Sequence, residues 1–542
     1  MNPSIFAPHL RRAVPVALVL ALTLAAGCDG SDGDSTPKAQ STPPTAQPTP
    51  PTPSTPSAPA STPPAAKPVG ADDPALKPFY TQKLAWAACP DDKKTKSDEG
   101  VLECARVRVP LDYAAPAAET IEVQAYRKKA GGDRLGILAV DPGGPGSGVQ
   151  SMTRMFAVTQ VAVGTRYDVV GIDPRGTAGS TAVDCVDDAG IDRLRSLDPT
   201  PDDAAELERI GAFYREFADG CTTRSAKLLP HLGTQDVVSD LDVLRGVLGE
   251  DKLNYFGWSY GTYIGALYLE KFPTHTGRVV LDAPMDPAMD RISGAKDQAA
   301  GFEQAYRAFV TDCLKQADCP FKGSVDDAIK RTADRLHELG TTPFEGKGGR
   351  TVGEGEVSYA ISTATYNEET WRDLRVTMRI YLGKDANRAI AETDFWLGRA
   401  EDGSYPWDHT DANMTINCAD GRMLTVAEAD KLAKEAQSTM PVAGPGVIWS
   451  FAADCRPNGP DRARPISAPG APPVLVVGST GDPATPYGQA QALTSQLPGA
   501  VLLTREKTGH AAYAKGNACI DAAVEKYLFT GELPAVGARC AK

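Results

Sequence analysis

Three residues, taken in chain order, have the types needed for nucleophilic acyl transfer: Ser259, Asp482 and His510. Ser259 sits in Gly257-Trp258-Ser259-Tyr260-Gly261, the spacing of a sharp strand-to-helix turn that exposes a serine oxygen. Both glycines have a steric duty in such a turn, because backbone meets backbone and leaves no room for a Cβ. A serine hydroxyl is a weak nucleophile until a base takes its proton, and the base needs an acid to hold its tautomer. On this kind of turn the partners follow in the order serine, acid, histidine. Beyond the serine lie His275, His337, His409 and His510. His275 falls just past the helix that follows the turn, and His337 lies inside the helical "DDAIKRTADRLHEL", whereas His510 closes the strand-like "AVLLTREKTGH". Asp482 stands where the buried-looking run "PPVLVVGSTGD" ends. Singly, each has a plain alternative: Asp482 in an Asp-Pro turn, His510 on a surface loop, the five-residue string a coincidence. It is the three together, in the right order, that carry the reading.

The oxyanion of an acyl-transfer reaction needs two backbone N–H donors, one from the residue after the nucleophile and one from an early strand-end loop. Tyr260 supplies the first, and "GGPG" at 143–146 is in position for the second, with Gly144 N–H as the expected donor. No G-K-[ST] follows these glycines and their spacing misses the dinucleotide fingerprint, so a phosphate-binding loop is excluded. A tight turn without catalytic duty is the alternative.

Elements that would position these residues are legible around them. "LECARVRVPLDY" and "TIEVQAYRKK" alternate as β segments, and "LGILAVDPGGPGSG" and "YDVVGIDPRGTAGS" are apolar strands that break into loops. "TQDVVSDLDVLRGVLG" has helical spacing with Thr234 as its expected N-cap, "LNYF" is a strand, "YGTYIGALYLEKF" a helix closed by Pro273, and "GRVVLDAP" a strand. Strands alternating with helices predict an α/β fold with a mostly parallel sheet and active residues at the strands' C-terminal ends. Residues 289–464 carry helical patterns such as "QAAGFEQAYRAFVTDCLKQ" and are expected to form an inserted helical cap, a kind of lid that excludes water and selects substrate. The core is then expected in two parts, 76–288 and 465–542.

The N-terminus reads differently. Arg11 and Arg12, the apolar run "AVPVALVLALTLAA" and the small residues before Cys28 form a secretory signal over 1–27, too short and wrongly flanked for a membrane span. "LAAGC" resembles a bacterial lipobox, which makes Cys28 the expected lipidated residue; an ordinary cleaved signal is the alternative. Residues 28–75 are rich in Pro, Thr, Ser and Ala and read as an extended stalk. The chain carries −13, and the signal takes two arginines and no acid with it, leaving −15. An acidic exported chain without a basic run is a poor nucleic-acid binder, and membrane contact is expected only through the lipid. Ten cysteines remain after Cys28, an even number that suggests a disulfide framework. They allow about 945 pairings, of which neighbours in sequence are the simplest: Cys89 with Cys104, Cys185 with Cys221, Cys313 with Cys319, Cys418 with Cys455, and Cys519 with Cys540. No C-x-x-C and no H-E-x-x-H occurs, so neither a metal nor another cofactor is expected.

"VRVPLDYAAP", "DPGGPGSG", "GIDPRGTAGS", "YFGWSYGTYIG", "GSTGDPATP" and "TGH", in this order, resemble the exported tripeptidyl aminopeptidases of actinobacteria, α/β-hydrolase serine peptidases related to the prolyl aminopeptidases. The resemblance spans about residues 80–542. It implies an α/β-hydrolase fold with a cap, Ser259 as nucleophile, Asp482 as acid, His510 as base, and release of tripeptides from free peptide or protein N-termini. The chain departs from that family's loop in having Asp141 in place of an asparagine and one residue fewer after Gly146. An exopeptidase needs a carboxylate for the substrate's α-ammonium, and the candidates are Glu354, Glu356, Glu368, Glu369 and Asp420. A carboxylesterase or endopeptidase on the same scaffold is the nearer alternative, and a non-catalytic solute-binding lipoprotein the farther one.

Overall fold

Predominantly apolar runs become the central strands, because only segments that can lose water on both faces survive in the middle of a parallel sheet. The computed structural model of the chain describes residues 70–90 and 102–541, apart from 178, 407, 422, 458, 460 and 461. The signal, Cys28 and most of the stalk lie outside the described residues. Ten strands form the main sheet: Ala87–Ala88 (β1), Glu103–Pro110 (β2), Thr120–Lys128 (β3), Ile137–Asp141 (β4), Asp168–Ile172 (β5), Leu253–Trp258 (β6), Thr276–Asp282 (β7), then, after the small hairpin Phe344–Glu345 (β8) and Thr351–Val352 (β9), Leu475–Gly481 (β10), Val501–Thr508 (β11) and Arg539–Cys540 (β12). Their order is β1-β2-β3-β5-β4-β6-β7-β10-β11-β12. The first three pairings are antiparallel and the rest parallel. This mixed, mostly parallel sheet with crossover helices is an α/β-hydrolase fold.

Register does the positioning. Asp141 pairs with Gly257, so the glycine loop after β4 emerges beside the turn after β6. Gly481 pairs with Thr508, which sets Asp482 and His510 at neighbouring strand ends.

Between β7 and β10 the chain runs through helices from Arg291–Cys313 to Gly444–Trp449. The insertion has two characters. Tyr306, Phe309, Leu336, Trp371 and Trp396 pack into an apolar core of their own. Met414, Leu424, Val447 and Trp449 instead join the cluster that contains Val476 and Leu281 of the sheet. A second excursion, the helices Asp188–Ser196 and Ala204–Arg224 after β5, also rises over the strand ends. It is tied to the insertion by Arg399 and Tyr405, which both donate to Asp192.

Thr234 does not cap the helix Thr234–Val247. Gly233 holds the cap position without a side-chain bond, and Thr234 is the first helical residue. Its hydroxyl and N–H are engaged by Asp420 of the insertion instead. Each body cysteine pairs with its neighbour in sequence, giving five disulfides. Among the described residues no helix is long and apolar enough to cross a membrane, and no group of His, Cys, Asp and Glu could hold a metal ion.

Candidate active site

Ser259 occupies φ 55° and ψ −125°, a backbone conformation that a side-chain-bearing residue adopts only under constraint. Its flanking glycines supply the room. A Cβ on Gly257 would lie 2.4 Å from Gly261 O, and one on Gly261 would lie 2.7 Å from Asp141 O. The turn is clamped from below by Asp282, whose carbonyl accepts Ser259 N–H at 3.1 Å.

His510 is buried, with Nδ1 at 2.9 and 3.0 Å from the two oxygens of Asp482. Asp482 Oδ1 also accepts the N–H groups of Ala484 and Thr485, each at 2.9 Å, so the carboxylate is fixed by its own loop. That arrangement puts the histidine proton on Nδ1 and leaves Nε2 as the basic nitrogen. Nε2 is buried without a protein partner among the described residues. Acid and base are thus brought together, while the hydrogen bond from Ser259 Oγ to Nε2 is not closed. Such contacts commonly tighten only around substrate.

Gly144 and Tyr260 line the same cavity as Ser259, which measures about 460 Å³. The loop reaches the turn closely, since a Cβ on Gly143 would meet Tyr260 N at 2.9 Å. From above, Asn413 of the helix Thr410–Asp420 donates to Pro145 O at 3.1 Å. Tyr260 is held through its hydroxyl by Thr234, which also binds Asp420. Asp420 is pushed up to about 6, burial outweighing the Thr234 bonds and the nearby Arg462 and Arg291.

The five expected amine carboxylates meet different fates. Glu356 is taken by Arg350 at 2.7 Å and by Gly353 N–H at 2.8 Å, so it closes its own helix start. Glu368 accepts Thr508 N–H at 3.1 Å and Glu369 accepts Lys507 at 2.7 Å, which holds both against the histidine loop rather than at the cavity wall. Asp420 lines the cavity but is already satisfied by Thr234. Glu354 has one oxygen bonded to Thr200 at 2.9 Å and the other buried without a protein partner among the described residues. Burial, then the charge of Asp198, push Glu354 up to about 8. Asp198 itself lines the cavity and is raised by burial, with Glu206 and Asp202 adding to the shift.

Sequence reasoning missed Asp198, Asp282 and Tyr366. Asp198 lies in an irregular segment with no periodic signal, and Tyr366, which lines the cavity, ends a cap helix. Only Asp282, in "VVLDAP" at a strand end, sat where a functional acid could have been sought. Its carboxylate accepts Trp258 Nε1 at 2.9 Å and the N–H groups of Ala512 and Tyr513 at 3.0 and 2.9 Å, tying the serine turn to the histidine loop.

Asp141 carries a testable consequence. It is fully buried beneath the glycine loop, accepts Gly143 N–H at 2.8 Å, and is pushed up to about 7, burial outweighing that bond. An acid whose folded pKa lies above its unfolded value of about 4 loses stability as pH rises between the two. Asp141→Asn keeps the acceptor and removes the charge. The variant should therefore gain about 1–3 kcal/mol more over the parent at pH 8 than at pH 5, measured by urea unfolding. Equal gains at both pH values would show that the charge is not responsible.

Residues 440–540 match the family described as TAP-like protein. The chain is 34% identical to serine protease Hip1 of Mycobacterium tuberculosis over 492 residues, covering 87% of this chain and 94% of that one. It is 33% identical to carboxylesterase B of the same organism over 500 residues, covering 88% and 94%. To the tripeptidyl aminopeptidase of Streptomyces coelicolor it is 30% identical over 474 residues, covering 84% and 86%. With this fold, a serine in a strained turn and an acid-bound histidine at the adjoining strand ends, the chain belongs to the TAP-like family of α/β-hydrolases and is a serine hydrolase.

Proposed function

We propose that the enzyme is an exported exopeptidase that releases short peptides, tripeptides foremost, from free N-termini through an acyl-enzyme on Ser259. His510 Nε2 takes the hydroxyl proton as Oγ attacks the scissile carbonyl, and Asp482 holds the imidazolium that forms. The N–H groups of Gly144 and Tyr260 receive the oxyanion. His510 then protonates the leaving amine, and water attacks the ester by the same steps in reverse.

The observation that carries the peptide reading is the acidic wall made by Asp198 with Glu354 behind it. Glu354 is raised by burial and by the charge of Asp198, and Asp198 by burial and by Glu206 and Asp202; such crowded buried acids call for a cation, and a substrate α-ammonium supplies one. Peptidases among the relatives support the same class. The five disulfides fit an oxidising compartment, which supports export by the signal over 1–27; anchoring at Cys28 is proposed from the lipobox-like sequence alone.

An unblocked tripeptide anilide should be cleaved, and acetylating its N-terminus should lower kcat/KM at least about tenfold. Acetylation removes the charge and leaves the acidic wall unpaired, at a cost of about 1–3 kcal/mol or more. Equal cleavage of both forms would point to an endopeptidase. The esterase relative keeps a second reading open, and it would prevail if both peptides were inert while short esters were hydrolysed.

A further inference from the structure

His510 lies on a loop whose backbone is held from two sides. From the sheet, the carboxylate of Asp282 accepts the N–H groups of Ala512 and Tyr513. From the cap, the segment that follows the helix Glu354–Thr365 lies along the loop as a short antiparallel partner. Tyr366 O accepts His510 N–H at 3.0 Å, and Asn367 bridges Gly509. Glu368 accepts Thr508 N–H at 3.1 Å, and Glu369 pairs with Lys507 at 2.7 Å and with Arg505 at 3.7 Å. The Tyr366 ring stands edge-on to the imidazole with centroids 5.7 Å apart. Fit is close here, since a Cβ on Gly509 would lie 3.0 Å from Asn367 Oδ1.

We propose that Tyr366–Glu369 is a strap by which the cap positions His510, so that the base is aligned on Ser259 only while the cap is seated. The inference rests on the reading of His510 as the base. Asp482 fixes one end of the imidazole, but a ring held at Nδ1 alone can still swing Nε2 away from the serine. The strap removes that freedom by holding the main chain on the cap side of residues 508–510. It also links chemistry to substrate. Ser358, Tyr359, Ser362 and Thr363 of the helix that carries the strap line the substrate cavity, as does Tyr366 itself. Whatever fills the cavity therefore presses on the element that orients the base. Tyr366 to Glu369 act through His510 and touch no reacting atom, so they are positioning residues.

The test uses the full chain, a fluorophosphonate probe and p-nitrophenyl acetate, both too small to depend on the acidic wall. Glu368→Ala should slow fluorophosphonate labelling and lower kcat on the ester about ten- to hundredfold, with KM within about twofold, as expected when a catalytic group is misplaced by about an ångström. Glu368→Gln, which keeps an acceptor for Thr508 N–H, should recover most of the loss. Lys507→Met, which removes the nearer cation of Glu369 and a 3.7 Å ion pair to Glu368, should fall between the two. Arg375→Ala serves as the control, because it breaks the ion pairs with Asp318 and Asp312 away from the strap. Normal labelling in Glu368→Ala, a loss confined to KM, or an equal loss in Arg375→Ala would overturn the strap. If Glu368→Ala does not fold, the Gln and Met variants decide by the same measures, and parental kinetics in Lys507→Met would overturn it. His510→Ala separates the two readings: rapid labelling there refutes the base, whereas silence there with normal labelling in Glu368→Ala refutes the strap alone.

Discussion

Ser259→Ala is expected to abolish fluorophosphonate labelling and to lower turnover about 10⁵- to 10⁶-fold, with the fold intact. Among the described residues the serine side chain has no hydrogen-bond partner, and its strained backbone is held by Gly257, Gly261 and Asp282 rather than by its hydroxyl. His510→Ala should cost nearly as much, because a nucleophile without its base loses almost the whole unit's contribution. Asp482→Asn should cost less but still orders of magnitude. An amide in place of the carboxylate offers the imidazole an N–H as readily as an acceptor, which favours the wrong tautomer. The double variant Ser259→Ala with His510→Ala should be little worse than either alone. Additive losses would mean that the two residues act separately, and a His510→Ala enzyme with near-parental turnover would remove His510 from the mechanism.

The second large effect concerns stability and lies away from the cavity. Arg175 of "GIDPRGTAGS" is fully buried, with 0% of its side chain exposed, and uses all of its guanidinium donors. Nε and Nη2 pair with the two oxygens of Asp240 at 2.8 and 2.7 Å. The remaining bonds go to the carbonyls of Leu111, His231 and Pro110 at 2.8, 3.1 and 2.9 Å. One side chain thus joins the loop after β5, the end of β2 and the helix Thr234–Val247. Arg175→Ala should cost about 3–5 kcal/mol, since it strands Asp240 as an unpaired buried charge and orphans several carbonyls. Against a typical total of about 5–15 kcal/mol, that is enough to leave much of the protein unfolded near its working temperature. Arg175→Lys should recover little, because an ammonium cannot reproduce the planar fork. In urea unfolding, a double variant with Asp240→Ala should lose clearly less than the sum of the single losses. Purely additive losses, or an Arg175→Ala loss below about 1 kcal/mol, would show that the buried pair is not what holds these elements.

Much of this was legible before any tertiary structure. The serine turn announces itself because its chemistry demands two glycines at fixed offsets, and steric demands of that kind are local. The order of Ser259, Asp482 and His510, each at the end of an apolar run, followed from strand composition and a rule of connectivity. Neighbour pairing of the cysteines was the simplest of many schemes, and it is the one present.

What the chain could not reveal locally is which of its many charged residues end up with partners. Glu356, Glu368 and Glu369 looked like candidates equal to Glu354, and three of the four turn out to be occupied by Arg350, Thr508 and Lys507. Glu354 is distinguished by Asp198 and Thr200, the latter 154 residues away in the chain. Thr234 had the type and place of an N-cap and was claimed by Asp420, 186 residues distant, because a buried carboxylate needs donors more than a helix start does. Composition and spacing therefore determined a mostly parallel α/β sheet, and they singled out Ser259, Asp482 and His510 in that order as the candidates for the chemistry. Only the tertiary structure decided the acidic wall, the Asp282 tie and the strap on His510, since burial and pairing belong to the packed chain as a whole.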